Sequence, residues 1–234
     1  MKKILFFSLV IFSFLFVFPS QSFADDKLAE FEENIILQKH IDNIGYKLLN
    51  ANKINKRMVF TYKGKEEMVK LDPALTKRNI FVYDKIIQFT SEEDEIAAYL
   101  ALGIGRVAES YDGIFKGYVT SLQMKGAPKK YEYYFDKLAV DYMVKAGYNP
   151  LGLITFIHKA FPQKRYDKVS RHNLTSKRLA KIYEYIYVKY PYFIKNNTYI
   201  TNEVYQNFLL TSVDNRKLLY EKLKTGSKKA VHYE

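Results

Sequence analysis

The spacing of apolar and polar positions changes several times along the chain. Residues 4–18 are an unbroken run of apolar residues and serine behind a Met1-Lys2-Lys3 start. From 26 to 52 the period becomes helical: Leu37, Ile41, Ile44 and Leu48 recur with charges between them, which predicts an amphipathic helix. Between 57 and 90 the apolar runs shorten. Residues 58–62, 68–71 and 79–83 are β-branched and aromatic, and Lys63-Gly64-Lys65 and Asp72-Pro73 punctuate them. This predicts a small antiparallel sheet. Ser91-Glu92-Glu93-Asp94 has the form of a helix start, a capping serine followed by acids facing the positive end of the helix dipole. That helix runs on through Ile96, Tyr99, Leu100, Gly103 and Val107. A looser stretch with glycines follows, from Tyr111 to Pro128. A further helix covers about 131–146 and stops at Gly147, and Asn149-Pro150 open the next, which Pro162 ends. A Tyr-rich helix runs from Thr175 to Tyr190 and stops before Pro191. One or two short helices close the chain. The sum is an α+β domain, mainly helical, with no internal repeat and no break.

The first run differs from the rest in chemistry. It is followed by Pro19 and by Ser22-Phe23-Ala24, small residues at the −3 and −1 positions of a cleavage site. As a helix it spans about 22 Å, short of the roughly 30 Å hydrocarbon core of a bilayer. We therefore read residues 1–24 as a signal peptide cleaved near Ala24. Residues 25–234 are then one exported domain, periplasmic or secreted, with a helical C-terminal extension from about 191. The chain contains no cysteine. Disulfides, a lipid-bearing cysteine and thiol chemistry are excluded, and a domain of this size has core enough to stand without staples. Tyr (21) and Phe (17) with no Trp must supply much of the buried surface. Loss of Lys2 and Lys3 with the signal leaves 35 basic against 25 acidic residues, a balance of +10. The lysines are spread out, so nucleic acid is not expected, although the balance allows contact with an anionic membrane surface. The one dense basic stretch, Lys222 to Lys229, reads as a frayed, solvated end.

The segment Ser91 to Ala108 resembles the active helix of the HtpX-like and prenyl-protease-like zinc metallopeptidases, family forty-eight of the metallopeptidases, which reads roughly sEDElAavLAHEIGHvaa. The likeness continues at Glu132-Tyr133-Tyr134-Phe135-Asp136, where the family has a Glu-x-x-x-Asp motif, and through Ala146-Gly147-Tyr148-Asn149-Pro150. It returns at His172-Asn173-Leu174-Thr175-Ser176-Lys177-Arg178, similar to a family His-Pro segment with Arg six residues on. It covers about residues 28–190 and implies a zincin-like metallopeptidase fold, with the small sheet packed on the metal helix. In H-E-x-x-H the two His, at i and i+4, share a helix face and bind one zinc, and the Glu takes a proton from the zinc-bound water. Here those three positions hold Leu102, Gly103 and Arg106. Leucine has no donor atom, glycine has no side chain, and a guanidinium cannot ligate a cation.

The second helix departs less from the family. The resemblance puts Glu132 at the third metal ligand and Asp136 at a carboxylate that orients a ligand His, with His172 near the reacting group and Arg178 retained. By spacing alone Glu132 and Asp136 would read as surface acids beside Lys129, Lys130 and Lys137; the resemblance turns them inward. His172 could equally cap the helix that begins near Thr175. His40 and His232 read as solvent-facing and His158 as a packing residue. The Tyr183, Ile186, Tyr187 and Tyr190 spacing reads as a core stripe, not a stacking platform for sugars or single strands. No phosphate loop and no G-x-S-x-G elbow is present.

The expected protein is a pseudopeptidase with no cofactor, one that binds a protein or peptide partner in the cell envelope or serves as a scaffold. The alternative is a zinc-dependent metalloendopeptidase with a displaced site built on Glu132, Asp136 and His172. In the first reading Arg106 is expected to reach Glu132, and Asp136 with it, within salt-bridge distance, a charge pair standing in for the ion.

Overall fold

A computed structural model of the chain describes residues 29–65, 78–110, 127–162 and 173–234, with residues 119, 123, 124 and 126 between the second and third of these segments. The proposed signal segment, the run 68–71, most of the stretch 111–128 and His172 lie outside the described residues. The chain divides into two compact units, Met1–His40 and Ile41–Glu234. Of the first, residues 29–40 are described and are helical throughout.

Helix α1 covers residues 29–51; in the second unit its Ile41, Ile44 and Leu48 are fully or almost fully buried, as their helical spacing requires. Strands β1 (Val59–Tyr62) and β2 (Asn79–Val82) follow. They pair in parallel, with Val59 opposite Asn79 and Tyr62 opposite Val82. The expected antiparallel sheet is therefore corrected. The strands themselves are where the apolar runs put them; what differs is their direction. Residues 63–78, which connect them, meet the dozen or so residues that a parallel crossover needs, whereas a two-residue hairpin would have imposed the antiparallel pair. A short helix, α2 (Asp84–Phe89), lies where the sequence pattern showed only the end of the sheet region.

The centre of the unit is α3 (Glu93–Ser110). Ala97, Ala98, Ala101, Gly105 and Ala108 make it narrow, and Ile96, Leu100, Leu102, Ile104 and Val107 make it apolar on every side, so it is buried on nearly all faces. Against it pack α4 (Pro128–Lys145) and α5 (Leu151–Ala160). Gly152 lets α5 approach closely: a Cβ there would lie 2.6 Å from Asp94 Cβ and 2.9 Å from the Asp94 carbonyl carbon. Glu95, with no exposed surface, is tied across the same junction to Lys159 at 2.8 Å. Glu95 Oε2 also accepts from the Ser91 backbone N–H at 2.7 Å and from the Ser91 hydroxyl at 3.4 Å.

The C-terminal third is helical: α6 (Thr175–Lys189), α7 (Pro191–Lys195), α8 (Glu203–Thr211) and α9 (Val213–Thr225). Asn202 caps α8, its side chain accepting from Val204 N and Tyr205 N at 3.1 Å each. Tyr183 and Ile186 are buried and Tyr187 and Tyr190 pack against the core, so the tyrosine stripe is a packing face. The basic tail is not a frayed end. Lys222 lies in α9 and pairs with Glu184 at 2.7 Å. Beyond it the chain folds back: Tyr233 is buried under Lys181, and Asn215 exchanges two hydrogen bonds with the Glu234 backbone. The Tyr233–Lys181 contact and the Asn215–Glu234 hydrogen bonds hold the end in place, while Lys224, Lys228 and Lys229 stay exposed.

Candidate functional site

Three helices and one strand meet at the segment that resembles a metal helix. On α3, Leu102 points into the core and is 6% exposed. Gly103 faces β2, and a Cβ at that position would lie 3.1 Å from Ile80 Cγ2 and 3.3 Å from Ile80 Cδ1. The sheet therefore packs directly on the helix, and Ile80 fills the space a side chain at 103 would use. One turn earlier, the Tyr99 hydroxyl donates to the Phe81 carbonyl of β2 at 2.6 Å.

On α4, Asp136 follows Glu132 by one turn, and its neighbours on the buried face are Ala139, Val140 and Met143. Asp136 is turned inward and is 2% exposed. Its partner is Arg178 of α6, itself 5% exposed. Arg178 Nε donates to Asp136 Oδ2 at 2.8 Å and Nη2 to Oδ1 at 2.6 Å, a bidentate pair. The Arg178 guanidinium also lies 5.2 Å from the centre of the Phe161 ring. Burial pushes the Asp136 carboxyl up, and the Arg178 charge and hydrogen bonds pull it back. At Arg178 burial works against the charge, but Asp136 outweighs it and the guanidinium is held above its ordinary value. The two tendencies conflict, and the geometry decides between them: two parallel N–H···O bonds need a carboxylate, so the pair is ionised at neutral pH.

Glu132 is partly buried and faces the start of α6. Its Oε2 accepts from the Asn173 backbone N–H at 2.9 Å and from the Asn173 side-chain amide at 2.8 Å. The same amide donates to the Lys129 carbonyl at 2.7 Å, so Asn173 fastens the start of α6 to α4. Neither the bidentate role of Arg178 nor the part played by Asn173 was foreseen. Arg178 carried a signal: it stands at four-residue spacing with Ile182 and Ile186, a lone charge on an apolar stripe. Asn173, outside any helix, carried none.

Arg106 does not make the expected bridge. Among the described residues no carboxylate lies within salt-bridge distance of it, and its guanidinium lies 6.0 Å from the centre of the Phe135 ring. The reason is local. Arg178 takes both oxygens of Asp136, Asn173 holds Glu132 from the other side, and Phe135 offers a ring face between them. Burial pushes the Arg106 guanidinium below its ordinary value and Arg178 pushes the same way, while Asp136 and Glu132 pull it back up.

Of the sequence-derived positions, α3, α4 and α6 bring together Leu102, Gly103, Arg106, Glu132, Asp136 and Arg178. A zinc ion does not fit this set. Leu102 and Gly103 offer no donor, Arg106 offers positive charge, and both Asp136 oxygens are taken by a guanidinium. Among the described residues no three His, Asp or Glu side chains converge on one point. A recess between α4 and α6, lined by Tyr133, Asp136, Val140 and Ile182, is too tight for a water molecule. Comparison with known proteins finds no matching family model, no matching curated protein and no matching solved structure. What the arrangement offers chemically is a buried ion pair beside a guanidinium that makes no ion pair among the described residues; among those same residues of the site no nucleophile is held against a base.

Proposed function

We propose that the chain is an exported, non-catalytic relative of the HtpX-like and prenyl-protease-like metallopeptidases, with a zincin-like fold, that binds a protein or peptide partner in the cell envelope. The observation that carries this reading is the bidentate Arg178–Asp136 pair. In the resemblance Asp136 is a carboxylate that orients a metal ligand; here both its oxygens are committed to an arginine that joins α4 to α6. Ile80 against Gly103 supports the same reading, since the general-base position is filled from the neighbouring strand. The alternative, a displaced zinc site on Glu132, Asp136 and His172, would need Asp136 to release Arg178 into a buried space. For the partner, β2 offers backbone. Val59 N donates to Arg78 O and Lys63 N to Val82 O, so by the alternation of a strand Asn79 and Phe81 turn their backbone groups away from β1; of these the Phe81 carbonyl already accepts from the Tyr99 hydroxyl. An extended peptide can add at the groups that remain on such an edge without any chemistry.

Metal analysis by mass spectrometry on protein purified without chelator tests the reading, together with casein cleavage. We expect no stoichiometric zinc and no cleavage; one zinc per chain overturns it. Restoring Leu102→His, Gly103→Glu and Arg106→His should yield zinc binding only when Ile80→Ala is added, because the new Cβ at 103 starts 3.1 Å from Ile80. Equal zinc uptake with and without Ile80→Ala would show that the strand does not obstruct the position.

A further inference from the structure

Donors and acceptors at the candidate site do not balance. Asp136 has both oxygens filled by Arg178, and Glu132 receives two N–H groups from Asn173. Arg106 is partly exposed, donates no hydrogen bond and makes no ion pair among the described residues. A guanidinium carries five N–H donors in one plane. The contact of Arg106 with the Phe135 ring, 6.0 Å from its centre, uses none of those donors. The surplus is therefore of donors on a partly exposed side chain, and what would complete it is a planar pair of acceptor oxygens.

We propose that Arg106 is a receptor for the carboxylate of a bound peptide. This rests on the peptide-binding reading above and adds the chemistry of the ligand. The charge of the surroundings selects among anions. Arg178, Asp136 and Glu132 all act on Arg106 through space, so the two cations and two carboxylates leave little net field, and the desolvation cost, which rises steeply with charge, tells against a dianion such as phosphate. A singly charged carboxylate matches the fork in shape and carries the smaller desolvation cost. It also offsets the cost of keeping the guanidinium partly out of water without a partner. The carboxylate can be a peptide C-terminus or an Asp or Glu side chain, and the two are separable by experiment.

The test uses the mature chain with nitrogen-15 label and follows the Arg106 Nε–H resonance, assigned by its loss in Arg106→Gln. Three probes are compared: acetyl-tetra-alanine with a free C-terminus, the same peptide amidated, and an amidated peptide with one internal Asp. Acetate and inorganic phosphate serve as anion controls. The free acid or the Asp peptide, or both, should shift the Arg106 resonance, and which of them does so names the source. The plain amide and the Arg106→Gln protein should bind about tenfold more weakly or worse, the loss of one charge-assisted interaction. Acetate should shift the resonance more than phosphate at equal concentration. Arg106→Lys, which keeps the charge without the fork, should fall between, and it gives the answer if Arg106→Gln does not fold. If all three peptides bind equally, and equally to Arg106→Gln, peptide binding stands and the carboxylate receptor does not. If no probe moves Arg106, or phosphate moves it more than acetate, the proposal is wrong. Zinc in the purified protein would instead remove the reading beneath it.

Discussion

Arg178→Met leaves Asp136, 2% exposed, without either of its two donors. Breaking a buried pair from one side costs about 3–5 kcal/mol, because the remaining charge is left uncompensated. Set against a total stability of about 5–15 kcal/mol, that is a large fraction of the fold. At about 2–4 °C per kcal/mol for a domain of this size, the melting temperature should fall by about 6–20 °C. The double change Arg178→Met with Asp136→Leu removes both charges, and it should lie between neutral and about 4 kcal/mol more stable than the starting protein. Arg106→Gln breaks no ion pair and should cost less than about 1 kcal/mol. Urea unfolding followed by far-ultraviolet circular dichroism measures all three, with an unchanged slope required for comparison. Two results would refute the reasoning: an Arg178→Met cost below about 1 kcal/mol, or an Arg106→Gln cost exceeding it. The second would mean that the ion pairing that matters for stability sits on α3 after all.

Gly152→Ala should destabilise the unit by about 1–3 kcal/mol, since the new methyl meets Asp94 backbone that cannot swing aside, whereas Gly126→Ala, with nothing within 4 Å, should change it by less than about 0.5 kcal/mol. Glu184 is held below its ordinary value of 4.5: burial works against its charge, but the hydrogen bonds from Lys222 and Lys181 outweigh it. A depressed folded pKa gives stability that is present above the unfolded value and lost as pH falls through the folded one, so α9 should loosen from α6 below about pH 4.5. Near-ultraviolet circular dichroism of the Tyr183–Tyr220 contact reports this, and an identical acid transition in Glu184→Gln would count against Glu184 as the cause. Protein recovered from its native envelope should begin near Asp25, and N-terminal sequencing that finds Met1 intact in the membrane fraction would reverse the export proposal.

The helices were legible because burial writes itself into spacing. Ile41, Ile44 and Leu48 mark one face of α1, and Leu179, Ile182, Tyr183 and Ile186 mark one face of α6. The direction of the sheet was not, since parallel and antiparallel strands use the same residue types and differ only in how the chain returns. At the site, the spacing of Asp136 pointed to the surface and only the resemblance turned it inward, while Arg178 stood on an apolar stripe; that the two face each other depends on how α4 and α6 cross. Arg106 misled because α3 is apolar on every side, so no face of it showed where the guanidinium would go. The C-terminal lysines misled through composition: four residues beyond the last of them, Tyr233 is buried where the tail folds back.

The contact between Ile80 and the bare Gly103 backbone bears on descent as well as on packing. Under the proposed metallopeptidase descent, a lineage that lost its general base could regain it by one substitution at 103, so long as the space stayed open. With a branched side chain from the next strand pressed against that space, an acid at 103 is easier to accommodate after a change on β2, and that first change carries no benefit alone. The tight contact acts as a ratchet, and it predicts an order of events. Among descendants of this chain, drift at the partly exposed position 106 should be more common than at the buried position 102, and acquisition of an acid at 103 rare, unless position 80 has shrunk first.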